Sequence, residues 1–201
     1  AASGKTQIYS KLIEQTLAQG KQVLYLLPEI GISVQLTNRL EHFFGDQMSV
    51  YHNKYSTHER VEVWNNVLAQ KEKAQFVLGV RTAVFLPFHN LGLVIVDEEH
   101  DLSYKQAEGQ GGYQVRDVAL MLAHLHGAKT LLGSATPSAE SYYNAQTGKY
   151  GMVRLTERFA DTQPPQVELI DLKEKTQKKE VQGHFSDTLL QAIEQTLSEG
   201  K

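Results

Sequence analysis

The chain contains no cysteine, which rules out a disulfide framework and a thiolate metal site. No apolar stretch approaches the roughly 20 residues of a membrane-spanning helix, and no segment is of low complexity. Neither charge dominates. The 20 Lys and Arg residues face 23 Asp and Glu residues for a net charge of −3, so nucleic-acid binding would need a local groove and not a basic shell. The eight histidines are scattered, and His124 and His126 are too close in sequence to share a helix face, so the pattern shows no metal cluster. What is present, 201 residues of which 41% are hydrophobic, suffices for one good-sized globular domain or one plus a fragment of another.

Val94-Ile95-Val96-Asp97-Glu98-Glu99-His100 is the most informative stretch. A run of branched apolar residues that ends in three acids and a histidine is the pattern of a buried parallel strand whose carboxyl end carries chemistry. Two further motifs frame it: Ser3-Gly4-Lys5-Thr6 near the start and Gly133-Ser134-Ala135-Thr136-Pro137 beyond it. A phosphate loop needs glycine so that backbone N–H groups can crowd phosphate oxygens, a lysine for the β- and γ-phosphates, and a hydroxyl for Mg²⁺. Gly4, Lys5 and Thr6 fill those places after Ser3, although the same four residues would also open an ordinary helix. At the strand tip Asp97 can hold Mg²⁺, and Glu98 can orient or deprotonate an attacking water; taken alone, the pair also reads as an exposed acidic turn. Ser134 and Thr136 follow another strand and would reach His100 from the same sheet edge, unless they form only a Ser/Thr turn before a helix.

Hydrophobic spacing predicts helices over 8–19, 33–44, 57–70, 115–125 and 138–145, with strands over 23–27, 48–51, 75–80, 93–96 and 130–132. Alternation of the two kinds over the first 150 or so residues implies a parallel sheet covered by helices on both faces. Residues 101–112 read as a polar, Gly-rich loop. Further on, 152–155 and 167–170 are candidate strands flanking a Pro164-Pro165 turn, and 172–183 is a connector rich in lysine and glutamate.

The chain starts on Ala1, not Met, already within the phosphate-loop motif. Ile13-Glu14-Gln15-Thr16-Leu17 followed by Gly20-Lys21 recurs as Ile193-Glu194-Gln195-Thr196-Leu197 followed by Gly200-Lys201. Either two amphipathic helices match by chance, or two related lobes each open helix, Gly-Lys, strand. On this reading the chain is a piece of a longer protein: residues 1–157 are an ATP-binding lobe, and 158–201 a connector with the first helix leading into a second lobe.

Taken together, the motifs resemble the PriA family of bacterial primosomal replication-restart DNA helicases, superfamily 2 enzymes with a DEEH box. The matching residues are Ser3 to Thr6, Leu27-Pro28-Glu29-Ile30 with Gln35, and His52 with Ser56, Glu59 and Arg60. They continue through Gly79 to Pro87, Asp97 to Asp101, Ser103-Tyr104-Lys105-Gln106, Arg116-Asp117 and Gly133 to Ser138. The resemblance covers essentially the whole chain. It departs where the family usually has Arg-Tyr-His-Ala-Arg-Asp: here Gly112-Tyr113-Gln114-Val115-Arg116-Asp117 lacks the first arginine and the histidine.

The resemblance implies a RecA-like P-loop NTPase lobe of an ATP-dependent 3′–5′ DNA helicase that starts replication restart at stalled or branched forks. Ser3, Gly4, Lys5, Thr6, His100, Ser134 and Thr136 would serve the nucleotide; Thr6 and Asp97 the Mg²⁺; and Glu98, Asp97 and Lys5 the hydrolysis of ATP. Gln35, Arg81 and Thr82 fall in segments that face single-stranded DNA in such helicases. Tyr104 and Tyr113 would stack on bases, and Lys105 and Arg116 would meet phosphates. Arg81 reads equally as a surface arginine. Expected partners are single-stranded and forked DNA, single-stranded DNA-binding protein and other primosome proteins, in the bacterial cytoplasm and with no membrane role. The family's zinc belongs to cysteines outside these 201 residues, as do its arginine fingers and N-terminal DNA-binding domain. These residues alone are expected to bind nucleotide weakly at best and to unwind nothing. Two alternatives stand beside this reading: another superfamily 2 translocase, and a non-catalytic nucleic-acid or partner-binding module with a relic nucleotide fold.

Overall fold

All five strands of the central sheet run parallel, in the spatial order Met48–Tyr51, Phe76–Gly79, Gln22–Leu26, Leu91–Asp97, Lys129–Gly133. The computed structural model describes residues 4–29, 31–106, 112–156 and 167–200. Chain contacts divide it into two units, Ala1–Ala160 and Asp161–Lys201.

In the first unit α1 (Lys5–Leu17) leads into β1 (Gln22–Leu26), and α2 (Val34–Phe44) into β2 (Met48–Tyr51). Then come α3 (Thr57–Leu68), β3 (Phe76–Gly79) and β4 (Leu91–Asp97). A short ribbon of β5 (Lys105–Gln106) and β6 (Tyr113–Gln114) precedes α4 (Val115–Leu125), β7 (Lys129–Gly133) and α5 (Ala139–Gln146).

β1 is buried along its whole length, and alternation divides its side chains between two cores. Val23 and Tyr25 pack on one face with Tyr9, Ile13 and Leu17 of α1 and with Leu40 and Phe44 of α2. Leu24 and Leu26 pack on the other with Val63 and Val67 of α3 and with Val115, Ala119 and Ala123 of α4. Helices therefore cover both faces, as expected. A strand sandwiched this way has no polar side, so β1 and β4 read as continuous apolar runs.

Local signals set the helix ends. α3 starts in a capping box: the Ser56 side chain accepts from Glu59 N, and the Glu59 side chain accepts from Ser56 N. Ser33 caps α2 through Leu36 N. α1 starts at Lys5, earlier than its apolar spacing suggests, because Gly4 at φ 77° turns the chain directly into the helix.

Three expectations need correction. Residues 152–155 form no strand; among them Val153 is 86% exposed, so no sheet partner covers it. Residues 167–170 form none either, with Leu169 94% exposed. The 101–112 segment is not wholly loop, since it holds a 3₁₀ turn at Leu102–Tyr104 and then β5. The Pro164-Pro165 turn lies outside the described residues.

In the second unit the expected connector opens with α6 (Leu172–Gln177), which Asp171 caps through Lys173 N and Glu174 N. A hairpin of β8 (Val181–Gln182) and β9 (Phe185–Ser186) runs into α7 (Asp187–Ser198), which carries the second copy of the repeated segment. No described helix is long and apolar enough to cross a membrane.

Candidate active site

Parallel pairing collects the strand ends at one edge. Leu26 is in register with Gly79 on one side and Val96 on the other, and Asp97 is in register with Gly133. Open α/β sheets hold ligands at this edge. β4 extends one residue beyond the expected strand, so Asp97 is its last member.

Lys5 comes to this edge from the first turn of α1. Its Nζ donates to Glu98 Oε1 at 2.6 Å and to Asp97 Oδ1 at 3.3 Å. Burial pulls the Lys5 amine down, but the Glu98 hydrogen bond and the Asp97 charge outweigh it, leaving the pKa above the ordinary lysine value. Thr6 follows, half-buried, and Gly4 has no side-chain cap over the helix start. Ser3 lies outside the described residues.

Asp97 is 8% exposed and richly bonded. Oδ1 accepts from Tyr9 Oη at 3.1 Å and from Glu98 N at 3.0 Å, while Oδ2 accepts from Tyr25 Oη at 3.1 Å. The Asp97 carbonyl accepts from Tyr104 Oη at 2.9 Å. Burial, and next the Asp97 charge, push all three phenols well above the ordinary tyrosine range, so each stays a donor.

After Asp97 the chain turns sharply. Glu98 sits at φ 48°, a left-handed conformation uncommon outside glycine, and Asp101 N donates to its carbonyl at 2.8 Å. This turn sends the other two residues of the box to separate partners. Glu99 is 1% exposed and accepts from Ser138 N at 2.7 Å, Ser141 Oγ at 3.0 Å, Ser138 Oγ at 3.1 Å and Arg116 Nη1 at 3.4 Å. Burial raises its pKa, but these donors more than offset that and leave the carboxyl below its ordinary value. His100 meets Ser134 Oγ through Nδ1 at 2.7 Å and Thr136 Oγ1 through Nε2 at 3.3 Å.

Two of the residues expected at DNA are internal. Tyr104 is fully buried and offers no ring face to a base, because its hydroxyl is drawn to the Asp97 carbonyl. The Arg116 side chain is 12% exposed and binds Glu99, Asp117 and Ser138, so its guanidinium works inside the protein and not as a surface phosphate ligand. The others are accessible. Lys105 is exposed on β5 and Gln35 in the first turn of α2. Tyr113 is half-buried, its ring edge-on to Phe85 at 5.1 Å, and Phe85 is 52% exposed. Thr82 Oγ1 donates to Asn53 Oδ1 at 3.0 Å, Asn53 Nδ2 donates to Glu29 Oε1 at 2.8 Å, and Arg81 lies 3.6 Å from the same Glu29 oxygen.

Sequence reasoning missed Tyr9, Tyr25, Glu99 and Phe85. For the tyrosines a signal existed, since a phenol at a core position must find a hydrogen-bond partner.

The family model for DEAD/DEAH box helicases matches residues 1–145, a span that holds Lys5, the acidic box, Ser134 and Thr136. The chain is 40% identical over 199 residues to Replication restart protein PriA of Bacillus subtilis (strain 168), covering 99% of this chain and 24% of that protein. To the protein of the same name from Chlamydia trachomatis it is 41% identical, covering 99% and 26%. To that from Rickettsia felis it is 42% identical over 200 residues, covering 99% and 30%. It thus spans less than a third of the length of these relatives. A match over most of the chain, on a covered parallel sheet whose edge gathers lysine, aspartate and glutamate, settles the assignment: the chain belongs to the DEAD/DEAH box helicase family.

Proposed function

We propose that this chain is the ATP-binding lobe of an ATP-dependent 3′–5′ DNA helicase that acts in replication restart at stalled or branched forks. The observation that carries the proposal is the convergence of Lys5 on Glu98 and Asp97, from 93 and 92 residues away, at the carboxyl edge of the sheet. The residues there fit a magnesium nucleotide. Asp97 and Glu98 are hard oxygen donors of the kind Mg²⁺ takes, Lys5 carries the positive charge, and the α1 N-terminus has no side-chain cap.

In this reading the α1 N-terminus, with Gly4 and Lys5, holds the phosphates, and Thr6 and Asp97 hold the metal, whose charge offsets that of the phosphates. Glu98, held out by its left-handed turn with a side chain 39% exposed, orients the attacking water and takes its proton. His100, linked to Ser134 and Thr136, relays the nucleotide state. Arg81, Thr82, Gln35, Lys105 and Tyr113 supply contacts to single-stranded DNA. Residues 158–201 lead to a second lobe, and the intact protein works in the bacterial cytoplasm with single-stranded DNA-binding protein and primosome partners.

The test is Glu98→Gln in the full-length protein. A motor loses DNA-stimulated ATP turnover in this variant and keeps ATP binding. Unchanged turnover, or a wild type without turnover, refutes the assignment. Equal activity of the wild type on linear duplex and on branched forks would count against replication restart and for a general translocase.

A further inference from the structure

We propose that Tyr9 and Tyr25 are positioning residues for Asp97 and that, through it, they set how strongly the site holds a divalent cation. The proposal rests on the nucleotide-site reading above. Each oxygen of the Asp97 carboxylate takes one phenol, Oδ1 from Tyr9 and Oδ2 from Tyr25, both at 3.1 Å; Oδ1 also accepts from Glu98 N at 3.0 Å and Lys5 Nζ at 3.3 Å, whereas Tyr25 is the donor that Oδ2 has among the described residues. Tyr9 belongs to α1, one turn after Lys5, and Tyr25 to the central strand β1. The helix of the phosphate loop and the middle of the sheet thus each contribute one donor to the same carboxylate.

A carboxylate with a donor at one oxygen can still swing about its terminal torsion, which is broad and roughly two-fold. Donors at both oxygens, from two rigid elements, leave it one plane. The rings cannot shift to follow a swing. Tyr9 is 3% exposed and Tyr25 0%, and they pack edge to face with centroids 5.6 Å apart. Both phenols are neutral, so they orient the carboxylate without adding to the positive charge that Lys5 already brings to it. Two cations in their place would orient it as well and spoil it as a metal ligand.

The third phenol provides a control. Tyr104 is equally buried, but its hydroxyl binds the Asp97 main-chain carbonyl and not the carboxylate. Partners that orient a metal ligand typically change metal affinity by about 10–100-fold when removed. Tyr25→Phe should show such an effect and Tyr9→Phe a smaller one, whereas Tyr104→Phe should cost stability alone.

The experiment uses full-length protein and a fluorescent ADP analogue, titrated with Mg²⁺ or held in EDTA, together with thermal melts of each variant. We expect unchanged affinity in EDTA. The Mg²⁺ concentration for half-maximal gain should rise about tenfold for Tyr25→Phe, rise less for Tyr9→Phe, which leaves Oδ1 its bonds from Glu98 N and Lys5 Nζ, and stay at the wild-type value for Tyr104→Phe. Wild-type Mg²⁺ curves for both Tyr9→Phe and Tyr25→Phe, with only the melting temperature lowered, would overturn the proposal. So would a Tyr104→Phe curve displaced as far as that of Tyr25→Phe. A wild type that binds the analogue under neither condition refutes the nucleotide-site reading itself, and the tyrosine proposal with it.

Discussion

Lys5 Nζ lies 2.6 Å from Glu98 Oε1, closing a distance of 93 residues in sequence. The acceptor stands on a residue held at φ 48°, where a non-glycine backbone costs on the order of 1–3 kcal/mol. The next turn explains why the strain persists. Asp101 N bonds the Glu98 carbonyl, Glu99 N bonds the Gly133 carbonyl, and Glu98 N bonds Asp97 Oδ1, so the backbone at the strand tip is held from three sides.

Because Lys5 and Glu98 are partly exposed, their pair should add little to stability while mattering to ligands. Lys5→Met in the full-length protein should lower nucleotide affinity by about tenfold or more and shift unfolding by about 1 kcal/mol or less. The raised Lys5 pKa means its charge is fully present below the ordinary lysine value of about 10.4 and is lost only above it. Nucleotide affinity should therefore show no lysine titration between pH 7 and 9. Calorimetric binding across that range, with a denaturation curve for each protein, checks both points.

Glu99 should behave in the opposite way, as a stabilising group with no direct role at the nucleotide. Removing one partner of a buried pair leaves the other uncompensated, at a cost of about 3–5 kcal/mol. Glu99→Ala leaves Arg116 its partners Asp117, Ser138 and Glu140, so the cost should fall below that figure, with Glu99→Gln milder. Its depressed pKa fixes the sign of the pH dependence. The stabilisation is complete above the unfolded carboxylate value of about 4.3 and disappears as pH falls through the lower folded value. The stability gap between wild type and Glu99→Gln should thus be constant above about pH 5 and narrow below it. A gap that widens on acidification would contradict the geometry.

The sheet was legible in the sequence because a strand buried on both faces has nowhere to put a polar residue, and the acids after Val96 then mark its end. Roles for Asp97 and Glu98 could be expected from their order after the strand, but the place of Glu99 was not legible. Asp97, Glu98 and Glu99 are adjacent carboxylates, and only the left-handed turn at Glu98 sends one to the tyrosines, one to Lys5 and one into the interior. Tyr104 was expected to stack on bases from the family resemblance alone, whereas the 3₁₀ turn capped by Asp101 folds its ring beneath the strand tip. Tyr9 and Tyr25 sit at apolar positions of a helix and a strand, where periodicity records only that they are buried.

The reassignment of Tyr104 has a consequence for DNA binding. Tyr104→Leu, which removes the ring, should leave the affinity of the folded full-length protein for single-stranded DNA unchanged. Tyr113→Ala should weaken it, and Phe85→Ala should as well, since Phe85 is the more exposed ring of the pair. Base–aromatic stacking is worth about 1–3 kcal/mol per base, which sets the expected loss. Fluorescence anisotropy with a labelled oligonucleotide measures it, and a Tyr104→Leu loss equal to that of Tyr113→Ala, at equal folding, would return Tyr104 to the DNA surface.

Gly133 connects the Ser-Ala-Thr segment to the tyrosines by space alone. It does not have a left-handed φ, so its backbone would accept alanine, but an added Cβ would lie 1.8 Å from Tyr9 Oη and 3.0 Å from Asp97 Oδ1. Gly133→Ala must therefore push the phenol off the carboxylate, with an overpacking cost of about 1–3 kcal/mol. In a Tyr9→Phe background the clashing hydroxyl is absent and only the ring carbon and Asp97 Oδ1, each at 3.0 Å, remain tight, so the same substitution should cost less. Neighbours that share one contact couple by about 0.5–3 kcal/mol. Chemical denaturation of the wild type, both single variants and the double variant closes the cycle. A double variant less destabilised than the sum of the singles places the glycine and the phenol in one contact, whereas strict additivity would show that Gly133 is glycine for some other reason.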